Sequence, residues 1–308
     1  MKARELGALL LLGTIWGASY LFIKVAVQVF PPATLVGSRV FIAAMVSLAI
    51  LRLRRIPLPS TQAAWTSFAI MGLFNAAVPY SLITWGEVRV DSGLTAILIA
   101  TVPIFTVIFA HFFLHDERLT TTIGAGILLG FVGVAILIGP DALAGATQNL
   151  WGDLAIIVAS MSYGGSVVYA RYKMRGYPPL AASTGQMLMA SLMMIPLALI
   201  IDRPWTISLP NAQTLMPALL SLLTLAVVGT SLAYLLYYWL IQNAGAVYAS
   251  AVTYISPFAS IVLGVVLLGE HVTVGDFVGF GLILVGLMLL NGYAGQIARR
   301  LVPTSAGK

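Results

Sequence analysis

The second half of this chain repeats the first, and both halves are apolar almost end to end. Phe30-Pro31-Pro32 returns as Tyr177-Pro178-Pro179. On that register Trp16-Gly17-Ala18-Ser19 lies over Tyr163-Gly164-Gly165-Ser166, and Lys24 lies over Arg171. Further along, Pro79-Tyr80 and Trp85 match Ala233-Tyr234 and Trp239, and Pro103 matches Pro257. Glu117-Arg118-Leu119-Thr120 matches Glu270-His271-Val272-Thr273. Two copies of one apolar unit predict a membrane carrier whose halves enclose a shared site.

Composition fixes the class. Of the 308 residues, 60% are hydrophobic and 8% charged, and the mean hydropathy is +0.99. Such a chain cannot cover a soluble domain with polar surface, so an all-α integral membrane protein is expected. Cysteine is absent, which excludes disulfides, thiolate catalysis and cysteine-ligated metals. With three histidines in the chain, no metal site and no cofactor are expected.

Apolar stretches long enough to cross about 30 Å of hydrocarbon predict ten helices. They run over Leu6–Val29, Ala33–Leu51, Ala63–Trp85, Ser92–Phe113, Thr121–Ile138, Trp151–Tyr172, Leu180–Ile201, Leu215–Ile241, Ala246–Leu268 and Val274–Tyr293. Residues 1–139 form one unit, 140–149 a connecting loop, 150–295 the second unit and 296–308 a tail. The apolar run after Lys2 and Arg4 has a counterpart inside the chain, so it reads as a retained first helix and not as a cleaved signal.

One set of helix ends carries Arg52, Arg54, Arg55, Arg118, Arg171, Lys173, Arg175, Arg299 and Arg300, whereas the other carries little beyond Arg89 and Arg203. The excess of basic residues marks the cytoplasmic side and puts both termini there. Five crossings per unit, an odd number, then require the second copy to be inverted relative to the first, giving a basket around a central cavity. The net charge of +6 is on this reading a topology signal and not a nucleic-acid surface.

Candidate cavity residues follow from polar and aromatic groups at membrane depth, which are costly in lipid and turn inward. The first helix offers Trp16, Ser19, Tyr20 and Lys24 in one stripe, and its repeat offers Tyr163, Ser166 and Arg171. The third helix offers Asn75 and Tyr80, the eighth Thr230, Tyr234, Tyr237 and Tyr238, and the ninth Thr253. For each Ser, Thr or Tyr, bonding between helices competes with solute contact. Pro103 and Pro257 fall at matched places in the fourth and ninth helices, freeing the carbonyls of Ile99 and Thr253; each is read as a hinge or a static kink. Gly126 with Gly130, and Gly275 with Gly279, form small faces suited to helix packing within or between protomers, leaving a monomer or a weak homodimer open. Lys24 and Arg39, with no acid at the middle of a span, favour an anionic group on the solute. Glu117 and Glu270 read as helix-end charges.

The Trp16-Gly17-Ala18-Ser19 element, the matched prolines, the Glu117 and Glu270 segments and the glycine-rich fifth and tenth helices resemble the EamA family of the drug/metabolite transporter superfamily. Within it the chain is similar to YddG-type exporters. That resemblance implies ten helices around a cavity lined by the first, third, fourth, sixth, eighth and ninth, in a bacterial inner membrane. It also implies export of amino acids, aromatic ones included, with broad specificity. Tyr163, where many relatives carry Trp, and Gln186, which replaces Arg39 in the second copy, depart from that pattern.

Three function classes stay open at this point: facilitated export of amino acids, proton-coupled efflux of drugs or cations on the aromatic lining, and a channel or scaffold without an access cycle. An enzyme is not expected. The His111 to Asp116 spacing straddles a helix end without a nucleophile, and no nucleotide-binding loop is present. The expected partners are the lipid bilayer and a small solute.

Overall fold

The computed structural model describes residues 3–90, 92–114, 120–138, 149–206, 210–259 and 274–290. Every regular element among them is helical. In the first half these are α1 (Ala3–Ala26), α2 (Pro32–Leu53), α3 (Gln62–Glu87), α4 in two pieces (Ser92–Ile99 and Val102–Phe113) and α5 (Thr121–Ile138). In the second half they are α6 (Leu150–Lys173), α7 (Pro179–Ile201), α8 (Ala212–Ala244), α9 (Ala246–Ser250, then residues 252–259) and α10 (Val274–Leu290). Among the described residues, seven helices are long and apolar enough to cross a bilayer, and α5 and α10 contain shorter apolar helices. This is a multi-pass membrane protein. Residues 260–268 of the expected ninth helix, Asp116, Glu117 and Glu270 lie outside the described residues.

The two halves repeat in their elements as well as in their sequence. Both α1 and α6 have 24 residues, and α2 and α7 have 22 and 23, each with Pro at its start. Both α3 and α8 are interrupted by a π-helical turn, at Leu73–Ala77 and Val227–Leu232. The sequence reading did not anticipate these turns, because hydropathy is the same through an α or a π turn. Helix α3 also continues to Glu87, two residues beyond its expected end at Trp85.

Contacts between the halves are reciprocal. Helix α1 presses Gly17 against the second piece of α9, where a Cβ would meet the Ser256 carbonyl and stand 3.2 Å from the Ala259 Cβ. The matched Gly164 of α6 is pressed against the second piece of α4, where a Cβ would lie 2.7 Å from the Phe105 Cβ and 2.9 Å from the Thr106 nitrogen. Helix α2 packs on α7, and α5 on α10.

The glycine faces act within the chain. A Cβ on Gly126 would stand 2.9 Å from the Gly286 carbonyl, and one on Gly133 2.7 Å from that of Gly279. A Cβ on Gly130 would strike the Tyr254 ring, whose hydroxyl donates to the Ile127 carbonyl at 2.9 Å. The outside of the bundle carries exposed Leu21, Phe112, Ile200, Leu220 and Phe277, as expected where lipid is the solvent.

Expected ends and kinks are corrected at α4 and α9. Pro103 does not bend a continuous helix: α4 breaks at Ala100–Thr101, and Pro103 sits in the first turn of the second piece, where its missing N–H costs nothing. At the break the Leu98 carbonyl accepts from the Thr101 N–H at 3.2 Å, and also from Thr101 Oγ1 at 2.6 Å and Ser160 Oγ at 3.0 Å. In α9 the break falls at Ala251, so Pro257 lies beyond it, inside residues 252–259.

Replacing Gly126 by Val should lower the melting temperature of the detergent-solubilised protein, by about 1–3 kcal/mol of overpacking. Gly7→Ala, where nothing lies within 4 Å of the added carbon, should leave it unchanged.

Candidate functional site

The π turns place polar backbone inside the bundle. In a π turn the amide bonds five residues back: Val78 N–H reaches the Leu73 carbonyl and Ala233 N–H the Val228 carbonyl. The carbonyls that an α-helix would have satisfied, Phe74 and Gly229, are thereby released. Pro79 adds a third, because it has no N–H for the Asn75 carbonyl four residues earlier. An unsatisfied carbonyl in hydrocarbon costs several kcal/mol.

Each released group is satisfied from the other half of the chain. Ser162 Oγ donates to the Phe74 carbonyl at 2.5 Å, and the Tyr234 hydroxyl to that of Asn75 at 2.7 Å. The Gly229 carbonyl accepts from Trp16 Nε1 at 3.2 Å and Arg39 Nη2 at 3.4 Å. Arg39 Nε also donates to Thr230 Oγ1 at 2.7 Å. Gln186, the repeat partner of Arg39, accepts from Asn75 Nδ2 at 3.2 Å and from the Tyr238 hydroxyl. Residue 39 thus bonds the π turn of the second half, and residue 186 bonds that of the first.

Between these crossed networks lies a cavity, with about 760 Å³ of empty space that includes open solvent. Helix α1 lines it with Trp16, Ser19, Tyr20 and Ile23, which share one face over about two turns. Arg39 comes from α2, and Asn75, Tyr80, Ile83 and Thr84 from α3. The second half contributes Tyr163 from α6, Tyr234 and Tyr237 from α8, and Ser250, Val252, Thr253 and Ser256 from α9. Ile99 and Val102 flank the break in α4, and Ser250 and Val252 flank that in α9, so both breaks border the cavity.

The wall is aromatic with one fixed cation. Trp16 lies against Tyr237 and Tyr234, with ring centroids 5.2 Å and 5.9 Å away. The Arg39 guanidinium stands 4.2 Å over the Tyr80 ring and is the charged group among the lining residues. The Asn75 Oδ1 is buried without a hydrogen-bond partner. Such a wall can pack flat apolar groups against its rings and hold an anionic group at its guanidinium.

Eight of the twelve expected binding residues line this cavity: Trp16, Ser19, Tyr20, Asn75, Tyr80, Tyr163, Tyr234 and Thr253. The other four do not. Lys24 is exposed and lies off the wall. Ser166 is buried and donates to the Ser162 carbonyl at 2.6 Å. Thr230 is held beneath Arg39 and donates to the Leu225 carbonyl at 2.8 Å. Tyr238 is buried on Gln186 and Met174. Arg171 leaves the expected stripe as well, its Nη1 donating to the Ile241 and Gln242 carbonyls at the end of α8 at 3.1 Å and 3.0 Å. Trp85 is stacked under Arg89 near a helix end, which agrees with an interfacial residue.

Tyr237, offered with Tyr234 from the eighth helix, lines the wall as well, whereas sequence reasoning missed Ile23, Ile83, Thr84, Ile99, Val102, Ser250, Val252 and Ser256. Extending each stripe by one turn from Tyr20 and Tyr80 would have found Ile23, Ile83 and Thr84. Arg39, expected with Lys24 to favour an anionic group on the solute, is part of the wall, whereas Lys24 is not.

Comparison with known proteins places this geometry. The profile of the EamA-like transporter family matches residues 4–139 and again 150–292. The inner membrane transporter YedA of Escherichia coli strain K12 is 30% identical over 299 residues, covering 94% of this chain and 93% of that protein. The transporter YoaV of Bacillus subtilis is 26% identical, covering 89% and 92%, and the WAT1-related chloroplastic protein At3g02690 of Arabidopsis thaliana is 24% identical, covering 90% and 66%. A crystal structure superposes with a TM-score of 0.77 at 20% identity, over 98% of this chain and 100% of that one, which shows a shared fold.

Tyr234→Phe should strand the Asn75 carbonyl and cost about 1–3 kcal/mol, read as a lower melting temperature in detergent. Tyr237→Phe removes a ring hydroxyl from the same wall without stranding that carbonyl, and should cost less in the same measurement.

Proposed function

This chain belongs to the EamA-like transporter family, and on that premise we propose that it exports amino acids, aromatic ones among them, across a bacterial inner membrane by alternating access. The observation that carries the reading is the cavity wall, which joins the tilted, mutually packed rings of Trp16, Tyr234 and Tyr237 to the guanidinium of Arg39. The rings suit apolar and aromatic side chains, and the guanidinium suits a carboxylate. The description of YedA as an inner membrane transporter supports the location, and the distribution of Lys and Arg supports cytoplasmic termini.

Alternating access requires two arrangements of nearly equal energy. Two inverted copies of one five-span unit supply them, because exchanging the conformations of the copies turns a cavity facing one side into one facing the other. The crossed contacts of Gly17 and Gly164 support equivalent roles for the two halves. The breaks at Ala100–Thr101 and Ala251 border the cavity, so the adjoining pieces are the hinges proposed here, with Pro103 keeping the first break open. Movement is read as facilitated, the solute running down its own gradient.

Counterflow of labelled phenylalanine in proteoliposomes tests the reading. Saturable trans-stimulated exchange without a pH gradient is expected. Exchange that needs the gradient would favour coupled efflux, and flux without trans-stimulation a channel. Trp16→Ala and Tyr80→Ala should raise the KM of exchange about tenfold, a loss of about 1.4 kcal/mol each, with membrane insertion unaffected. Pro103→Ala permits a continuous α4 and should lower the maximal exchange rate about tenfold while KM changes little. Pro257→Ala, beyond its break, should have a smaller effect on the rate.

A further inference from the structure

Glu87 is the last residue of α3, and both of its carboxylate oxygens are shielded from solvent without a hydrogen-bond partner. It stands three and four residues after Thr84 and Ile83, so it continues one turn beyond the stripe of Tyr80, Ile83 and Thr84 that lines the cavity. Two further wall residues from other helices, Tyr20 of α1 and Arg39 of α2, lie within electrostatic reach of its carboxylate, as does the exposed Lys24. Asp153 is a buried acid in the first turn of α6. Gly86, next to Glu87, packs on that helix with a Cβ position 2.8 Å from Ile156 Cγ1.

Arg39 does not neutralise this carboxylate by a direct bond. Its Nε and Nη2 are turned to Thr230 and the Gly229 carbonyl, and its plane lies on the Tyr80 ring. A shielded carboxylate without hydrogen bonds is costly, and it is relieved when a donor cation is delivered to it. A buried carboxylate with no hydrogen bond to explain it, one turn beyond the lining residues of α3, points to contact with a solute.

We propose that Glu87 accepts the cationic group of the transported solute, so that Arg39 and Glu87 together select molecules that carry a carboxylate and an ammonium at once. This rests on the amino-acid reading above and sharpens it. The aromatic wall supplies affinity for the side chain and serves any flat apolar solute. The two opposite charges supply discrimination, because each rejects a solute lacking its partner by leaving a desolvated group uncompensated.

The test uses the full chain in proteoliposomes and three probes of one size: phenylalanine, its des-amino analogue 3-phenylpropanoate, and its decarboxylated analogue phenethylamine. Wild-type protein is expected to exchange phenylalanine with a KM about tenfold or more below either analogue. Glu87→Gln, which keeps the shape and removes the charge, should raise the KM for phenylalanine about tenfold and leave that for 3-phenylpropanoate unchanged. Glu87→Asp should recover part of the preference, and that recovery separates recognition from a folding defect. An unchanged ratio of the two KM values in Glu87→Gln overturns the proposal. Wild-type exchange of phenethylamine alone, abolished in Glu87→Gln, would keep Glu87 as the cation acceptor and overturn the amino-acid reading. Wild-type exchange of none of the three overturns both.

Discussion

The rest of the structure depends on three backbone carbonyls that no helix satisfies. Released at Phe74, Asn75 and Gly229 by two π turns and Pro79, they lie among membrane-embedded helices, where water cannot bond to them. Their donors, Ser162, Tyr234, Trp16 and Arg39, all come from the opposite half of the chain. The two halves are therefore held together by bonds that neither could complete alone. Lipid offers no hydrophobic gain for burying one apolar helix against another, so such bonds and the close glycine contacts carry the association.

The same requirement creates the cavity. A helix that turns through five residues for one bond widens locally, and it directs carbonyls and side chains into the space between the halves. Donors that satisfy those carbonyls must reach inward, and long amphipathic side chains do so while presenting their ring faces to the void. Trp16 and Tyr234 each donate to a released carbonyl and line the wall with the ring. Structure and binding surface are here the same atoms. Substituting such a residue therefore alters stability and binding together, whereas Tyr80 and Tyr163, whose rings bond no released carbonyl, report on the wall more cleanly.

How much of this was legible in the sequence depended on periodicity. The apolar runs located nearly every helix within a few residues, and the stripe from Trp16 to Tyr20 identified the wall of α1, because spacing at helical period survives in any single sequence. Lys24 misled because a stripe says which face a residue occupies and not how far the cavity extends along it. Thr230, Tyr238 and Ser166 misled because a polar side chain at depth serves a neighbouring helix as readily as a solute. The π turns were out of reach, since no composition marks them. Pro79 was the one visible sign, and the carbonyl it frees is the one Tyr234 occupies.

The scaffold repeats and the wall does not. Trp16 faces Tyr163 across the repeat, Pro79 is replaced by Ala233, and Arg39 by Gln186. The last pair matters most, because both side chains have the same structural task of bonding the opposite π turn, and a neutral amide performs it without the cost of burying a charge. An arginine at one of the two places is thus more than the scaffold needs. The cavity wall therefore carries its guanidinium from the first half of the chain, where the matched place in the second half offers a neutral amide buried against Asn75 and Tyr238.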